Sequence, residues 1–133
     1  RGARVLTGGE DVAGPGYFYR PTVLAVTDPG ESVVCEELFG PVAPVVPFDS
    51  EEQVLNWANS SPVGLAAYVH TGDIDRALRM SERLEVGMIG INSAAISNPA
   101  APFGGVKHSG LGREGGSEGI AEYLETIYVG IPV

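Results

Sequence analysis

The chain has 133 residues, of which 44% are hydrophobic, so it can form a core and wholesale disorder is not expected. Lys and Arg total 8 against 17 Asp and Glu, which gives a formal net charge of −9. Such a surface repels phosphate groups, so we expect neither nucleic acid nor an anionic membrane as a partner.

Sequence features indicate a reducing compartment. No apolar run approaches the roughly 20 residues that span a bilayer, and residues 1–7 contain no signal-peptide core. The single cysteine, Cys35, excludes an internal disulfide and a zinc site built on paired cysteines. We therefore expect a cytoplasmic protein without a metal. Because the sequence begins abruptly at Arg1, without Met, we expect either a truncated chain or part of a longer one.

The first third of the chain predicts short extended segments. Residues 5–7 form a strand candidate, followed by a glycine-rich turn. Residues 17–26 are rich in aromatic and β-branched side chains and are predicted to be extended, although Pro21 argues against a central position in a sheet. Residues 42–48 are apolar and interrupted by two prolines, so we expect another extended segment.

Two helices are predicted in the middle of the chain. Ser50 and Gln53 fit a capping box, and the apolar face of the helix that follows would carry Val54, Trp57 and Ala58. A buried strand is expected at residues 64–70. A second helix is expected over residues 73–84, ended by Gly87, with an inner face of Ile74, Ala77, Leu78 and Ser81.

Residues 87–92 predict a further short strand. Because strands and helices alternate up to this point, the expected fold class is α/β with a layer of parallel strands. A glycine-rich loop follows, then a short helix near residues 120–124 and a last extended segment over residues 125–133.

Residues 110–115 spell G-x-G-x-x-G, the fingerprint of a dinucleotide-binding fold. That motif works only after a buried strand and before a helix, with an acidic residue about 20 positions later. Here it follows a loop, and the chain ends too soon for a second strand. We interpret the glycines as positions of positive φ or close backbone approach.

Cys35 is the one potential thiol nucleophile. A reactive thiolate needs nearby positive charge or a helix N-terminus, whereas Glu36 and Glu37 follow Cys35 directly. We therefore interpret it as a small structural residue, and no His, Asp or Glu spacing predicts a metal site. Composition and spacing lead only to a soluble α/β unit with two loops of functional composition, residues 36–41 and 97–114.

Those loops carry a family resemblance. Residues 36–42 (EELFGPV) resemble the E-E-x-F-G-P-V motif of the aldehyde dehydrogenase superfamily, and residues 102–115 (PFGGVKHSGLGREG) resemble its P-F-G-G-x-K-x-S-G-x-G-R-E motif. Residues 64–67 (GLAA) stand where family members carry G-L-A. The order and spacing agree over nearly the whole chain, which resembles the C-terminal part of a family member several times longer.

The resemblance implies a mechanism that this chain cannot complete. In the family a cysteine thiolate attacks the aldehyde, hydride passes to a nicotinamide cofactor, NAD or NADP, and a glutamate-activated water releases the acid. The nucleophile lies in an upstream G-Q-x-C segment that is absent here. We therefore assign no catalytic residue to the chain and expect it to be inactive alone.

The resemblance assigns cofactor contacts to two residues. Glu37 matches the glutamate that accepts hydrogen bonds from the nicotinamide ribose hydroxyls, and Phe39 matches the aromatic side chain beside the nicotinamide. The alternatives are a solvated loop acid for Glu37 and a core aromatic for Phe39. Because the whole motif is present, we favour the functional interpretation.

The resemblance also assigns substrate contacts. Phe103 matches the aromatic wall of the aldehyde pocket. Residues 96–98 (ISN) resemble the I-S-[SN] segment of succinate-semialdehyde dehydrogenases, in which the serine, here Ser97, helps to bind the distal carboxylate. Residues 85–92 and 122–125 also resemble that subfamily, whereas residues 93–95 depart from its pattern. Ser97 as a loop hydrogen-bonder is the simpler alternative.

The C-terminal segment is expected to mediate assembly of subunits. The family's C-terminal strand pairs with a partner subunit, and residues 125–133 have strand propensity. We accordingly divide the chain into a catalytic-domain part (1–124) and an oligomerisation strand (125–133), and we expect a homodimer or homotetramer for the full-length enzyme. The predicted activity is oxidation of succinic semialdehyde; the alternatives are another aldehyde or a catalytically silent assembly module.

Overall fold

The computed structural model describes residues 2–132. Arg1, the first residue of the predicted catalytic-domain part, and Val133, the last residue of the predicted oligomerisation strand, lie outside the described residues. The chain divides into two compact units, residues 1–57 and 58–133, with the division inside one helix. No helix formed by residues 2–132 has the length and apolar character needed to cross a membrane.

The first unit contains a three-stranded mixed sheet. Its strands are β1 (Arg4–Thr7), β2 (Thr22–Ala25) and β3 (Val42–Val45), in that spatial order. β1 pairs with β2 antiparallel, and β2 pairs with β3 parallel. Both the predicted strand at residues 5–7 and the extended segment at residues 42–48 are therefore confirmed.

The expectation that Pro21 would keep its segment from the centre of a sheet is wrong, because β2 is the central strand. Pro21 lies just before β2, so its missing N–H removes no bond from the ladder. The ladder instead begins at Thr22, whose N–H donates to the Pro41 carbonyl (2.8 Å). The Thr22 hydroxyl is buried; it donates to Arg20 O and accepts from Gly9 N, both at 2.8 Å.

Two helices follow in this part of the chain, α1 (Ser32–Cys35) and α2 (Glu51–Asn59). The predicted start of α2 is confirmed: Gln53 N donates to Ser50 Oγ (3.2 Å), and Gln53 Oε1 accepts from Asp49 N (2.7 Å). The predicted apolar face is wrong in detail. Leu55 is the buried residue of α2, Val54 and Trp57 are half-buried, and Ala58 is exposed.

The second unit contains two small sheets. In one, β4 (Val63–Gly64) pairs antiparallel with β7 (Val106–Lys107); in the other, β5 (Ala66–Val69) pairs parallel with β6 (Met88–Ile91). The parallel α/β arrangement is therefore confirmed. The predicted strand at residues 64–70 is split at Leu65 between the two sheets.

Helix α3 (Ile74–Arg83) connects β5 to β6 and completes a β-α-β unit. Asp73 caps it, with its Oδ1 accepting from Asp75 N at 3.0 Å. The predicted inner face is only partly correct. Ala77 and Met80 are buried, whereas Ile74 is 70% exposed; Leu78 and Ser81 are also exposed. Two apolar side chains of α3, Ile74 and Leu78, are therefore not covered by residues 2–132.

The prediction that Gly87 ends α3 is wrong, because the helix stops at Arg83 with Leu84 as its C-cap. Gly87 has a different role at the entrance to β6. A Cβ at Gly87 would overlap the Gly104 carbonyl oxygen. Two segments therefore cross here backbone against backbone, and only glycine allows this approach.

The C-terminal part begins with a 3-10 helix at Glu118–Tyr123, close to the short helix predicted at residues 120–124. Over residues 125–132 the single chain forms no strand. Four large apolar side chains there are exposed: Ile127, Tyr128, Val129 and Ile131. Pairing of this segment with another subunit remains a prediction.

Candidate functional site

The segment EELFGPV (residues 36–42) connects α1 to β3 in the first unit. It begins where α1 ends, with Glu36 N donating to Ser32 O at 2.8 Å. A tight turn follows, in which Gly40 N donates to Leu38 O at 2.9 Å. Because Val42 then enters the parallel ladder with β2, the base of this segment is held by the sheet.

Glu37 and Phe39, the two predicted cofactor contacts, lie in the irregular part of this segment and are both exposed. Phe39 is 95% exposed, so its side chain does not pack into the core formed by residues 2–132. An exposed carboxylate and an unpacked ring, two residues apart, suit a ligand with hydroxyls beside a flat ring. Contact of Glu37 and Phe39 with the nicotinamide riboside of NAD or NADP remains a prediction.

Ser97 lies in the second unit, on the loop that follows β6. It lines a cavity of about 500 Å³ together with Asn98, Pro102 and residues of β6. Ser97 is exposed, and within residues 2–132 its hydroxyl has no hydrogen-bond partner. A donor that is not used by the loop itself is available to a ligand in this cavity.

Phe103 follows Pro102 directly but faces elsewhere. Its backbone pairs with Glu114 through two hydrogen bonds, at 2.7 and 2.8 Å. Its side chain is 38% exposed and lines a second cavity, of about 740 Å³, with Leu65, Leu111, Arg113 and Tyr123 among the other residues of its wall. Ser97 and Phe103, the two predicted substrate contacts, thus line two adjacent open cavities, which the consecutive residues Pro102 and Phe103 border.

The glycine-rich segment at residues 110–115 does not form a dinucleotide-binding turn. It follows the two-residue strand β7 and precedes the 3-10 helix, and Gly110, Gly112 and Gly115 have φ angles of 105°, 83° and 67°. Their role as positive-φ positions, inferred from the sequence, is confirmed. Arg113 fixes the segment, since its Nη1 donates to Gly105 O (2.8 Å) and Gly112 O (2.7 Å).

Lys107 is an anchor that spacing and composition did not single out. Its Nζ lies 2.7 Å from Glu85 Oε2 and donates to Asn59 O (2.6 Å) and Ser61 O (3.2 Å). Asn59 is the last residue of α2 and Ser61 lies in the turn after it, so the ammonium group is placed where a cation complements the helix dipole. The signal in the sequence was the lysine of the PFGGVK motif, but its partners are remote along the chain.

Cys35 is exposed and stands at the last position of α1, where its Sγ donates to Pro29 O at 3.3 Å. The interpretation of Cys35 as a small structural residue remains a prediction. Among residues 2–132, no group of three or more His, Cys, Asp or Glu side chains is placed to hold a metal ion.

Comparison with known proteins extends these observations. A family model described as "Aldehyde dehydrogenase family" matches residues 1–129. The succinate-semialdehyde dehydrogenase of Paenarthrobacter nicotinovorans is 58% identical over 130 residues, which are 98% of this chain and 29% of that protein. The 3-sulfolactaldehyde dehydrogenase of Pseudomonas putida is 53% identical over 129 residues, 97% of this chain and 26% of that protein.

A solved structure agrees with these sequence matches. The NAD+ complex of an aldehyde dehydrogenase from Bacillus cereus superposes with a TM-score of 0.88 at 46% identity, covering 93% of this chain and 25% of that one. The chain thus spans between a quarter and 29% of the length of these relatives.

Proposed function

Because this chain belongs to the aldehyde dehydrogenase family, we propose that it supplies the C-terminal part of an enzyme that oxidises succinic semialdehyde to succinate with NAD or NADP. The activity belongs to the whole protein, since the thiol nucleophile of the family has no counterpart in this chain. Within that enzyme, the segment 36–42 would serve the cofactor, and the loops around Ser97 and Phe103 would serve the substrate.

The position of Ser97 carries the substrate proposal. A hydroxyl that is exposed on a cavity wall and not used by its own loop can donate to an anionic oxygen. A family relative named for succinic semialdehyde, at 58% identity, supports the same assignment.

The cofactor proposal depends on Glu37 and Phe39. Glu37 would accept hydrogen bonds from ribose hydroxyls, and Phe39 would pack beside the nicotinamide ring. When bound, the nicotinamide accepts the hydride that leaves the substrate carbon. This chain would orient the cofactor, because a ribose held at its hydroxyls fixes the position of the nicotinamide ring.

A second candidate is another aldehyde that carries a distal anionic group. The relative at 53% identity is named for 3-sulfolactaldehyde, which bears a sulfonate in place of a carboxylate. A serine hydroxyl can donate to either group, and Ser93 and Ala95, from the segment 93–95 that departs from the succinate-semialdehyde pattern, border the same cavity. The substrates therefore need to be compared directly.

The test is a comparison of kcat/KM for succinic semialdehyde, 3-sulfolactaldehyde and butanal in the complete enzyme, with and without Ser97→Ala. A hydrogen bond to a charged group contributes about 1.5–3 kcal/mol, so the substitution should lower kcat/KM for the preferred anionic aldehyde by about ten- to a hundredfold. The loss should appear in KM, because the anion is remote from the reacting carbon. Butanal should be nearly unaffected. Equal losses for butanal would reduce Ser97 to a loop residue and refute the anionic-substrate assignment.

A further inference from the structure

Asn92 ends strand β6 in an unusual backbone conformation. Its φ is 52°, in the left-handed region that asparagine tolerates better than most residues. The side-chain amide pairs with the backbone of Thr71 in both directions: Asn92 Oδ1 accepts from Thr71 N, and Nδ2 donates to Thr71 O, each at 2.8 Å. Asn92 N also donates to Val69 O at 2.8 Å, so the residue is fixed to the end of β5.

The loop that follows, residues 93–98, folds back over β6. A Cβ at Gly90 would lie 2.7 Å from Ile96 Cγ2 and 2.8 Å from Ser93 O, so the loop packs directly on the backbone of the strand. Ile96 precedes Ser97 along the chain. The left-handed turn at Asn92 makes this reversal possible, because a continued strand would carry residues 93–97 away from Gly90.

The far end of the loop is also attached. Asn98 Oδ1 accepts from Ala100 N at 2.9 Å, and Pro99 O accepts from Gly116 N at 3.1 Å. Ser97 therefore lies between two fixed points, and its own side chain contributes to neither. Its position depends on the attachments at Asn92 and Pro99.

We propose that Asn92 is a positioning residue for Ser97 and thereby sets the preference of the enzyme for anionic over uncharged aldehydes. This inference rests on the proposed function, in which Ser97 binds the distal anion. Both halves of the amide are needed, since one donates to the Thr71 carbonyl and the other accepts from its N–H. An aspartate would place a carboxylate oxygen against that carbonyl, and a glycine would keep the turn but lose both bonds.

The experiment measures the ratio of kcat/KM for succinic semialdehyde to that for butanal in the complete enzyme. Asn92→Asp and Asn92→Gly should each lower this ratio about tenfold, through KM for the anionic substrate, because a misplaced donor loses most of its hydrogen bond. Amide exchange of residues 93–98 should accelerate in the same variants. Asn92→Gly gives an independent result if Asn92→Asp folds poorly.

Asn59 offers a matched control. Its side-chain amide also pairs with backbone in both directions, donating to Arg83 O (2.8 Å) and accepting from Glu85 N (2.9 Å), but at the far end of α3. Asn59→Asp removes the same kind of contact and should leave the substrate ratio unchanged. A comparable fall in this control would show that the ratio responds to general destabilisation, and the inference would be wrong.

The two hypotheses fail in different ways. If Ser97→Ala lowers the ratio and both Asn92 variants leave it unchanged, the positioning role is refuted while the proposed function stands. If Ser97→Ala leaves the ratio unchanged, the anionic-substrate assignment fails, and the inference fails with it. Equal losses for both aldehydes in the Asn92 variants would also refute the positioning role.

Discussion

Replacing Lys107 with methionine should loosen the contact between the end of α2 and strand β7. The substitution keeps an unbranched side chain of similar length but removes the ammonium group, and with it one ion pair and two hydrogen bonds to main-chain carbonyls. The backbone at this position has φ 56°, and because Lys and Met are both unbranched at Cβ, the substitution should leave its conformational cost nearly unchanged.

The carbonyl contacts should matter more than the ion pair. The Glu85 side chain is 58% exposed, and exposed ion pairs contribute about 0.2–1 kcal/mol. The Lys107 side chain is only 25% exposed, and hydrogen bonds from a charged donor contribute about 1.5–3 kcal/mol. We therefore expect Lys107→Met to cost about 2–3 kcal/mol and Glu85→Gln no more than about 1 kcal/mol.

Amide exchange in the complete protein provides the assay, because it measures local opening. The His108 N–H, bonded to Pro62 O at 3.0 Å, reports on the segments that Lys107 joins. Its exchange should accelerate about 30- to 150-fold in Lys107→Met and no more than about fivefold in Glu85→Gln. High salt should reduce the acceleration in Glu85→Gln, because it screens the exposed ion pair, and should change the acceleration in Lys107→Met little. Equal acceleration in both variants would show that the ion pair dominates and would refute the reasoning.

Three further predictions concern the complete enzyme and the isolated chain. Glu37→Gln should slow hydride transfer more than it weakens cofactor binding, because one ribose anchor is lost while contacts elsewhere remain; stopped-flow kinetics with an unchanged hydride step and a much raised Kd would contradict this. Removal of residues 125–133 should disrupt the expected oligomer by deleting the segment that is predicted to pair with a neighbour; an intact oligomer in light scattering would rule it out. The purified 133-residue chain should not reduce NAD or NADP with any aldehyde, and activity abolished by Cys35→Ala would disprove that expectation.

Local signals in the sequence predicted where helices and strands form better than they predicted which faces of the helices are buried. The start of α2 was predictable, because the capping contacts of Ser50 and Gln53 lie within one turn. The buried sides of α2 and α3 were not, because burial depends on what packs against a helix. Here Leu55 and Met80 are covered, while the apolar Ile74 and Leu78 are not.

In the candidate site, too, the sequence identified single residues but not the contacts between remote segments. Motifs identified Glu37, Phe39, Ser97 and Phe103 as residues of interest, but not that Ser97 and Phe103 line different cavities. The attachments that hold the loops were also not predictable. Asn92 contacts a residue 21 positions away, and Lys107 contacts one 48 positions away. Such pairs arise from the tertiary fold and leave no periodicity in the sequence.

The backbone crossing at Gly87 and Gly104 has a consequence for recombination between homologous enzymes. These glycines bracket β6, the loop at residues 93–98 and the Pro102-Phe103 pair, and neither segment can shift without the other. A transplanted block from 87 to 104 would carry both halves of the crossing and keep its internal geometry. Thr71 and Gly116, which hold Asn92 and Pro99, lie outside this block, so the predicted substrate loop should transfer intact only from a homologue whose backbone offers the same contacts. A donor with a bulkier residue at Gly87 or Gly104 should yield insoluble chimeras.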